Sequence, residues 1–413
     1  MQKLNIEMVY DCIIVGGGAA GCFAAANLLE LKPDAKVLIL EKSSKLLSKV
    51  KISGGGRCNV THRFTDIDSF ASNYPRGERF MRRVLHHFSP SDTIKWFESR
   101  GVKLKTESDG RIFPVSDQSQ DIINCLMKAM KGAEIKYHQQ TVDIDFDVSL
   151  KLVKTLDHSY SAKNVILACG GGVGKSPFLF LDSINLKIAP LVPSLFSFNI
   201  KPHPFKDLMG ISVPLIKIKI AGTKLIGQGS AVITHWGLSG PAILRLSAFG
   251  AYEMAERNYK FTIILNWLPE LSDQEIIEVL EKHKRQHPQK HLVSRPFSQF
   301  SERLWLRFIE MCGLSQDFKW ASLGEGSIKK LSRTLASMEV NIDGKTTYKE
   351  EFVTAGGIEL SEIVHTTCEL KKYSGIYMAG EMLNSDGVTG GFNFQHAWST
   401  AYLSACAVAQ NLK

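Results

Sequence analysis

Gly16-Gly17-Gly18-Ala19-Ala20-Gly21 satisfies G-x-G-x-x-G, the spacing with which a backbone turn grips the pyrophosphate of a dinucleotide. Gly16 permits the tight strand-to-helix turn, Gly18 lets the backbone approach the anion, and Gly21 lets the helix pack close to the strand. Ala19 and Ala20 open a helix whose free N–H groups would face the phosphates. Glu41, 20 residues past Gly21, is placed to accept hydrogen bonds from ribose hydroxyls, with Lys42 beside it. Its charge disfavours a 2′-phosphate, and so NADP, at this position.

In a chain with 33 glycines a lone fingerprint is weak, and its flanks carry the weight. Residues 9–15 read as a buried β-branched strand stopped by glycine. Residues 19–31 read as a helix ended by Lys32-Pro33, and residues 37–40 as a second strand with Glu41 at its C-terminal end. The complete strand–turn–helix–strand–Glu unit predicts a dinucleotide site, without yet choosing between NAD and FAD.

The far end of the chain makes that choice. Residues 375–378 form a short strand-like run ending in Ala379-Gly380-Glu381, and Gly387-Val388-Thr389-Gly390-Gly391 leads into a helix-like segment from Phe392 to about Ala409. An acidic strand end can hold ribitol hydroxyls, and a glycine-led helix start can face the electron-rich pyrimidine edge of a flavin. NAD has no need of this second anchor. Residues 164–171 form a strand running into glycine, with Gly170 a candidate contact, and Val142 sits in a strand-like stretch where backbone could meet an adenine.

These segments, with Ile52-Ser53-Gly54-Gly55-Gly56-Arg57-Cys58-Asn59, Gly110-Arg111-Ile112-Phe113-Pro114-Val115-Ser116-Asp117, Thr234-His235-Trp236-Gly237-Leu238-Ser239-Gly240-Pro241 and Val353-Thr354-Ala355-Gly356-Gly357, resemble the bacterial BaiN/YhiN-like flavoprotein family, described as NAD(P)/FAD-dependent oxidoreductases. The resemblance runs nearly the whole chain in the family's order. It implies FAD held by a discontinuous domain, with an insert folded over the flavin. It also implies that Gly16 to Gly21, Glu41, Arg57, Cys58, Asn59, Val142, Gly380, Glu381, Gly391, Phe392, Asn393 and Gln395 touch the cofactor. One departure stands out. Relatives often carry Asp three residues after the Ala-Gly-Glu glutamate, and Asn384 here can hydrogen-bond but cannot act as a base. On reaction the resemblance is broad, spanning steroid-type ring reduction and amine oxidation.

The expected fold class is α/β: a Rossmann-type FAD-binding domain in two segments, 1–190 and 350–413, with an inserted β-rich domain carrying a helical subdomain at 191–349. Within the insert, residues 215–220, 231–233, 261–265 and 338–342 read as strands. Ser272 and Glu275 form a capping box opening a helix with Ile276, Ile277 and Leu280 on one side. Phe297, Phe300, Leu304 and Phe308 mark a second amphipathic helix, stopped near Gly313.

Residues 170–176 mimic a P-loop, but Cys169 stands where the pattern needs glycine, which argues against nucleotide hydrolysis. His235, before a turn leading to a helix, fits either a proton shuttle or a structural role. Arg57 suits an anion, with a pyrophosphate or a substrate carboxylate as partner. Cys58 reads as a packed small residue more readily than as a thiol near the flavin. No catalytic side chain, metal cluster or Cys-x-x-Cys pair can be assembled from spacing. A flavoenzyme needs little such signature, because the cofactor carries the hydride.

Formal charge is +9, from 50 basic and 41 acidic residues, with modest clusters at 76–87 and 282–291. Its scatter predicts solvated helix faces rather than a nucleic-acid partner. Eight cysteines without paired spacing, and no stretch long and apolar enough to span a bilayer, predict a cytoplasmic protein off the membrane. The expectation is an FAD-dependent oxidoreductase of a small or mid-sized organic substrate, with NAD(P)H open as a transient donor. The alternative is a flavin-bearing regulatory or nucleic-acid-associated protein without turnover. Oligomeric state is left open.

Overall fold

Val9–Val15 is apolar through its second half and buried there on both faces, the pattern of a strand inside a parallel sheet. In the computed structural model, which describes residues 8–146, 149–172, 178–346 and 353–412, it is the central strand β1. Helix α1 (Ala19–Leu31) and strand β2 (Val37–Leu40) follow it. Two strands from much later in the chain lie in the same sheet. Strand β3 (Ser159–Leu167) pairs parallel with β1, and β4 (Ile376–Met378) pairs parallel with the end of β3.

β3 is forked. Its first residues pair antiparallel with Lys151–Thr155, while Val165, Ile166 and Leu167 pair with β4. With Glu134–Lys136 beyond β2 and Thr141–Asp145 at the other margin, the sheet has seven strands among the described residues. The register aligns the strand ends: Val15 lies opposite Leu40 and Leu167, and Leu167 opposite Met378. Gly16, Glu41, Ala168 and Ala379 therefore leave the sheet side by side at its carboxyl edge, where open α/β sheets bind ligands.

Helix α1 is buried over most of its surface and packs on helix α2 (Phe392–Asn411) through Phe23, whose ring centroid lies 5.1 Å from that of Trp398. Gly21 permits the close approach of helix to turn. A Cβ there would sit 1.9 Å from the Gly16 carbonyl oxygen.

The chain forms two compact units, one of residues 1–193 with 349–413 and one of residues 194–348. The second is a closed barrel in the order Ser197–Ile200, Gly237–Ser239, Ile226–Ile233, Ser212–Ile220, Lys260–Asn266, Met338–Thr346. Ile216, Ile218 and Ile220 point into its core while Lys217 and Lys219 face out, as period-two alternation requires.

Two details differ from the sequence pattern. Residues 237–239, expected as a turn, form a short barrel strand ending where Pro241 starts a helix. The second helix of the insert begins after Ser301, whose side chain accepts the Leu304 N–H, and covers Glu302–Met311. Phe297 and Phe300 share its apolar spacing but lie in the preceding turn, packed into the same core. The pattern does not announce the next helix, Glu325–Ala336, because Gly324 at its N-cap offers no side-chain oxygen. Among the described residues no helix is long and apolar enough to cross a membrane.

Candidate functional site

The glycine turn meets the requirements for holding an anion. Gly18 is the N-cap of α1, with extended backbone and no side-chain cap, and no acidic residue occupies the first turn. The orphan N–H groups of that turn are available, and a Cβ on Gly18 would have nothing within 4 Å. Gly16 carries φ +111°, and a Cβ there would strike the Ala168 carbonyl oxygen at 2.4 Å. The Glu41 carboxylate is held beside the turn: Oε2 accepts the Gly17 N–H at 2.8 Å and Oε1 accepts the Ser43 N–H at 2.8 Å. A partly exposed, preoriented carboxylate one strand over from the phosphate turn is what a ribose diol requires. Lys42 is exposed next to it.

The second anchor arrives with β4. Gly380, at φ +75°, would bring a Cβ to 2.9 Å from the Cβ of Ala20, so the distal segment lies against the start of α1. Glu381 Oε1 accepts the Thr354 N–H at 2.9 Å, and Oε2 accepts from Lys49 Nζ at 2.6 Å. Gly170 and Gly171 pass next to this carboxylate: a Cβ on Gly171 would lie 3.0 Å from Glu381 Cδ and 2.5 Å from Thr354 Oγ1. Buried Thr354 Oγ1, Asn384 Oδ1, Ser385 Oγ and His396 Nε2 have no hydrogen-bond partner. Buried polar atoms left in this state are able to meet a bound group.

Helix α2 starts at Gly391, φ +97°, again without a side-chain cap or an acidic first turn. His62 packs against this start, its ring stacked on Phe392 with centroids 4.8 Å apart. Its Nδ1 lies 3.0 Å from the Gly390 carbonyl oxygen, which can only accept, so Nδ1 carries the proton. Burial lowers the His62 pKa, keeping the ring neutral near pH 7. Asn393 grips the Gly387 backbone at both its N–H and its carbonyl, each at 2.8 Å. Gln395 is fully buried. Its Oε1 accepts from Thr61 and Thr93 hydroxyls at 2.7 and 2.8 Å, so the side chain pins the helix and any contact of this residue with a cofactor falls to its backbone.

Arg57 lies among acidic and aromatic neighbours. Its Nη1 lies 2.7 Å from Glu107 and 3.5 Å from Asp117, and its guanidinium covers the Phe113 ring at 4.0 Å. Its charge is already matched by two carboxylates. Cys58 is fully buried, with its thiol pushed up to about 12 by burial, and so is a packing residue. Asn59 Oδ1 accepts the Ile112 N–H at 3.3 Å. Val142 is 40% exposed on the Thr141–Asp145 strand, open to a ring. His235 is exposed in a loop of the barrel. The P-loop-like lysine and serine, Lys175 and Ser176, lie outside the described residues. Among the described residues no three His, Cys, Asp or Glu side chains are arranged to hold a metal ion.

Two participants were invisible to motif reading: Lys49, and the ion pair of Arg76 with Asp386 Oδ2, 2.5 Å at Nη2; Thr354 stood in the 353–357 block with no role attached. Asp386 immediately precedes the Gly387–Gly391 block, but nothing in the sequence pointed to its partner.

His396 makes a pH prediction. Burial holds its imidazole down to about 4, which the neighbouring Glu381 charge only partly offsets. The unfolded ring titrates near 6.5, so stability is complete above that value. As pH falls from about 6.5 toward 4, the unfolded chain takes up a proton that the folded chain refuses, and on the order of 3 kcal/mol is lost. Urea midpoints at pH 7 and 4.5 should converge for His396→Gln relative to the parent. Equal acid losses in the two proteins would remove His396 as the cause.

A family model described as HI0933-like protein Rossmann domain matches residues 10–407. A 3-dehydro-bile acid delta(4,6)-reductase of Clostridium scindens is 28% identical over 410 residues, which cover 96% of this chain and 98% of that protein. A ribosomal RNA dihydrouridine synthase of Escherichia coli is 28% identical over 409 residues, covering 96% and 97%. Among solved structures, the open conformation of a flavocytochrome c3 fumarate reductase matches with a TM-score of 0.51 at 15% identity, over 98% of this chain and 79% of that one, a likeness of fold.

Proposed function

The chain belongs to the HI0933-like Rossmann-domain family and is an FAD-dependent oxidoreductase; from this premise we propose that it reduces a carbon–carbon double bond conjugated to a carbonyl group. This family agrees with the resemblance carried by the glycine blocks. The names of two end-to-end relatives share that chemistry. A delta(4,6)-reductase of a 3-oxo ring saturates double bonds conjugated to the ketone, and dihydrouridine is uridine saturated at a double bond conjugated to a ring carbonyl. At a double bond directly α,β to the carbonyl, the β carbon gains a hydride and the α carbon a proton.

The observation that supports the flavin part of this reading is the register of four strand ends, which brings Gly16, Glu41, Ala168 and Ala379 into one row; the choice of reaction follows the two relatives. The residues fit FAD in order. The N–H groups after Gly18 would hold the pyrophosphate, and Glu41 the adenosine ribose. Glu381, steadied by Thr354 and Lys49, would hold ribitol hydroxyls, and the start of α2, steadied by His62, would face the pyrimidine edge. Bound FAD supplies hydride-transfer chemistry, and the chain supplies position, electrostatics and exclusion of water.

NADH or NADPH is the proposed donor, binding transiently, and the cytoplasm the proposed compartment, in keeping with eight free cysteines. The substrate is a mid-sized ring compound or, following the second relative, a uracil base in RNA. The purified protein should be yellow, bleach anaerobically with NADH or NADPH, and regain colour on addition of a 4-en-3-one steroid or uridine-containing RNA. Deuteride from the labelled donor should appear on the β carbon. A protein that takes up no FAD, or whose bleached form only oxygen reoxidises, would defeat the reading; the latter outcome would favour a flavoprotein without turnover.

A further inference from the structure

Residues 282–295 carry five Lys or Arg (Lys282, Lys284, Arg285, Lys290, Arg295) and three histidines, with no Asp or Glu. They run from the last turn of the Asp273–Gln286 helix through the loop that follows. A helix C-terminus attracts cations through its dipole, which accounts for Lys282, Lys284 and Arg285. It does not account for Lys290 and Arg295, which lie beyond the helix, nor for Lys319, which the His291–Lys319 bridge brings to the same place.

Several other cations of this unit are matched: Arg307 by Asp207 and Glu310, Arg257 by Glu253, Lys260 by Asp343. Lys284 is spent on the Leu323 carbonyl at 2.6 Å. Among the described residues Lys282, Arg285, Lys290 and Arg295 are exposed and enter no ion pair.

The surface is also built. Trp305 Nε1 donates to the Leu292 carbonyl at 2.7 Å and Trp320 Nε1 to the Ser294 carbonyl at 3.0 Å. Backbone bonds from Leu292 N to Phe318 O and from Trp320 N to Lys290 O tie the loop to the next segment. A loop pinned by two buried indoles loses little freedom when its cations engage a partner.

We propose that residues 282–295, with Phe318 and Lys319, form a docking surface for the phosphate backbone of RNA. Unmatched, pre-positioned cations suit a polyphosphate, and Phe318, 48% exposed beside Lys319, offers a ring on which an unpaired base can stack. A membrane surface fits less well, because Ile276 and Leu280 of the helix are already buried and leave no apolar face to insert. The proposal rests on the reading of uracil in RNA as a substrate, and binding is measured apart from turnover.

The test uses the full FAD-loaded chain and a labelled RNA stem-loop, with anisotropy followed across salt. The combined variant K282E/R285E/K290E/R295E should bind about 100-fold more weakly and show a salt slope smaller by about 3. Replacing the same four residues by Gln should give an intermediate loss. A control of equal charge change in the other unit, K95E/K103E/K128E/K131E, should lose less than about 3-fold. Bleaching by the nicotinamide donor should be unchanged in all of them, so failure of RNA docking is separable from failure of the flavin reading. Equal losses in patch and control variants, absence of RNA binding, or tighter binding to phosphatidylserine vesicles than to RNA would each overturn the proposal.

Discussion

Gly18→Asp should purify as a folded, colourless protein. The position is extended backbone with open space around a Cβ, so the substitution costs the fold nothing. A carboxylate at the N-cap can even accept an orphan N–H of α1, typically a gain of about 1 kcal/mol. That same carboxylate would fill and charge the space intended for a pyrophosphate. Loss of the helix-terminus bonds together with like-charge repulsion should weaken FAD by about 100-fold or more, roughly 3 kcal/mol. The measurements are the flavin-to-protein absorbance ratio, titration of the apoprotein with FAD, and its melting temperature. Gly21→Ala provides the contrast, because its methyl group meets backbone at 1.9 Å and should compromise folding itself. If Gly18→Asp binds FAD as the parent does, the pyrophosphate does not lie at this turn.

Asp386→Ala should be the most destabilising single polar substitution in the first unit. Its carboxylate is 1% exposed and takes two hydrogen bonds from Arg76, from Nε to Oδ1 and from Nη2 to Oδ2. Removing it deprives a guanidinium that is only 12% exposed of a bidentate carboxylate, at a cost of about 3–5 kcal/mol. The double replacement Arg76→Met with Asp386→Leu should recover most of that loss, since desolvation of the charges disappears along with their attraction. Urea denaturation of the three proteins decides it. A single-variant loss under about 1 kcal/mol would show that the pair is not a structural tie. The residue also immediately precedes the Gly387–Gly391 loop, so flavin affinity should fall with stability.

The glycine turn, α1, β2 and Glu41 were legible because every signal involved is local: a β-branched run, a positive-φ turn and a carboxylate at a strand end. The distal strand end and helix start were legible for the same reason, as Gly380 and Gly391 sit in short glycine blocks whose conformations few other residues can adopt. What could not be read was who meets whom. Lys49 reaches Glu381 across 332 positions and Arg76 reaches Asp386 across 310, and no periodicity encodes either encounter. Arg57 shows the same limit, since its residue type suggested an anion while its neighbours Glu107, Asp117 and Phe113 could not be read from spacing. Gln395 stood in the sequence only as a cofactor contact implied by the resemblance, and the hydroxyls of two distant segments that satisfy its side chain could not be read there. In the second unit, Ser301 was the start signal of its helix, and the spacing of Phe297 and Phe300 masked it.

The fork in β3 also sets an order for biogenesis. Its antiparallel half can pair with Lys151–Thr155 almost as soon as both leave the ribosome. Its parallel half waits for residues 376–378, with the whole barrel unit synthesised in between. Through that interval Val165, Ile166 and Leu167 present an apolar strand edge with one neighbour missing, the geometry most prone to pairing with another chain. Closing so long a loop costs little extra free energy, because the entropy grows only logarithmically, but it is slow. The molecule's weak moment therefore falls during its making, when a three-residue strand has yet to arrive.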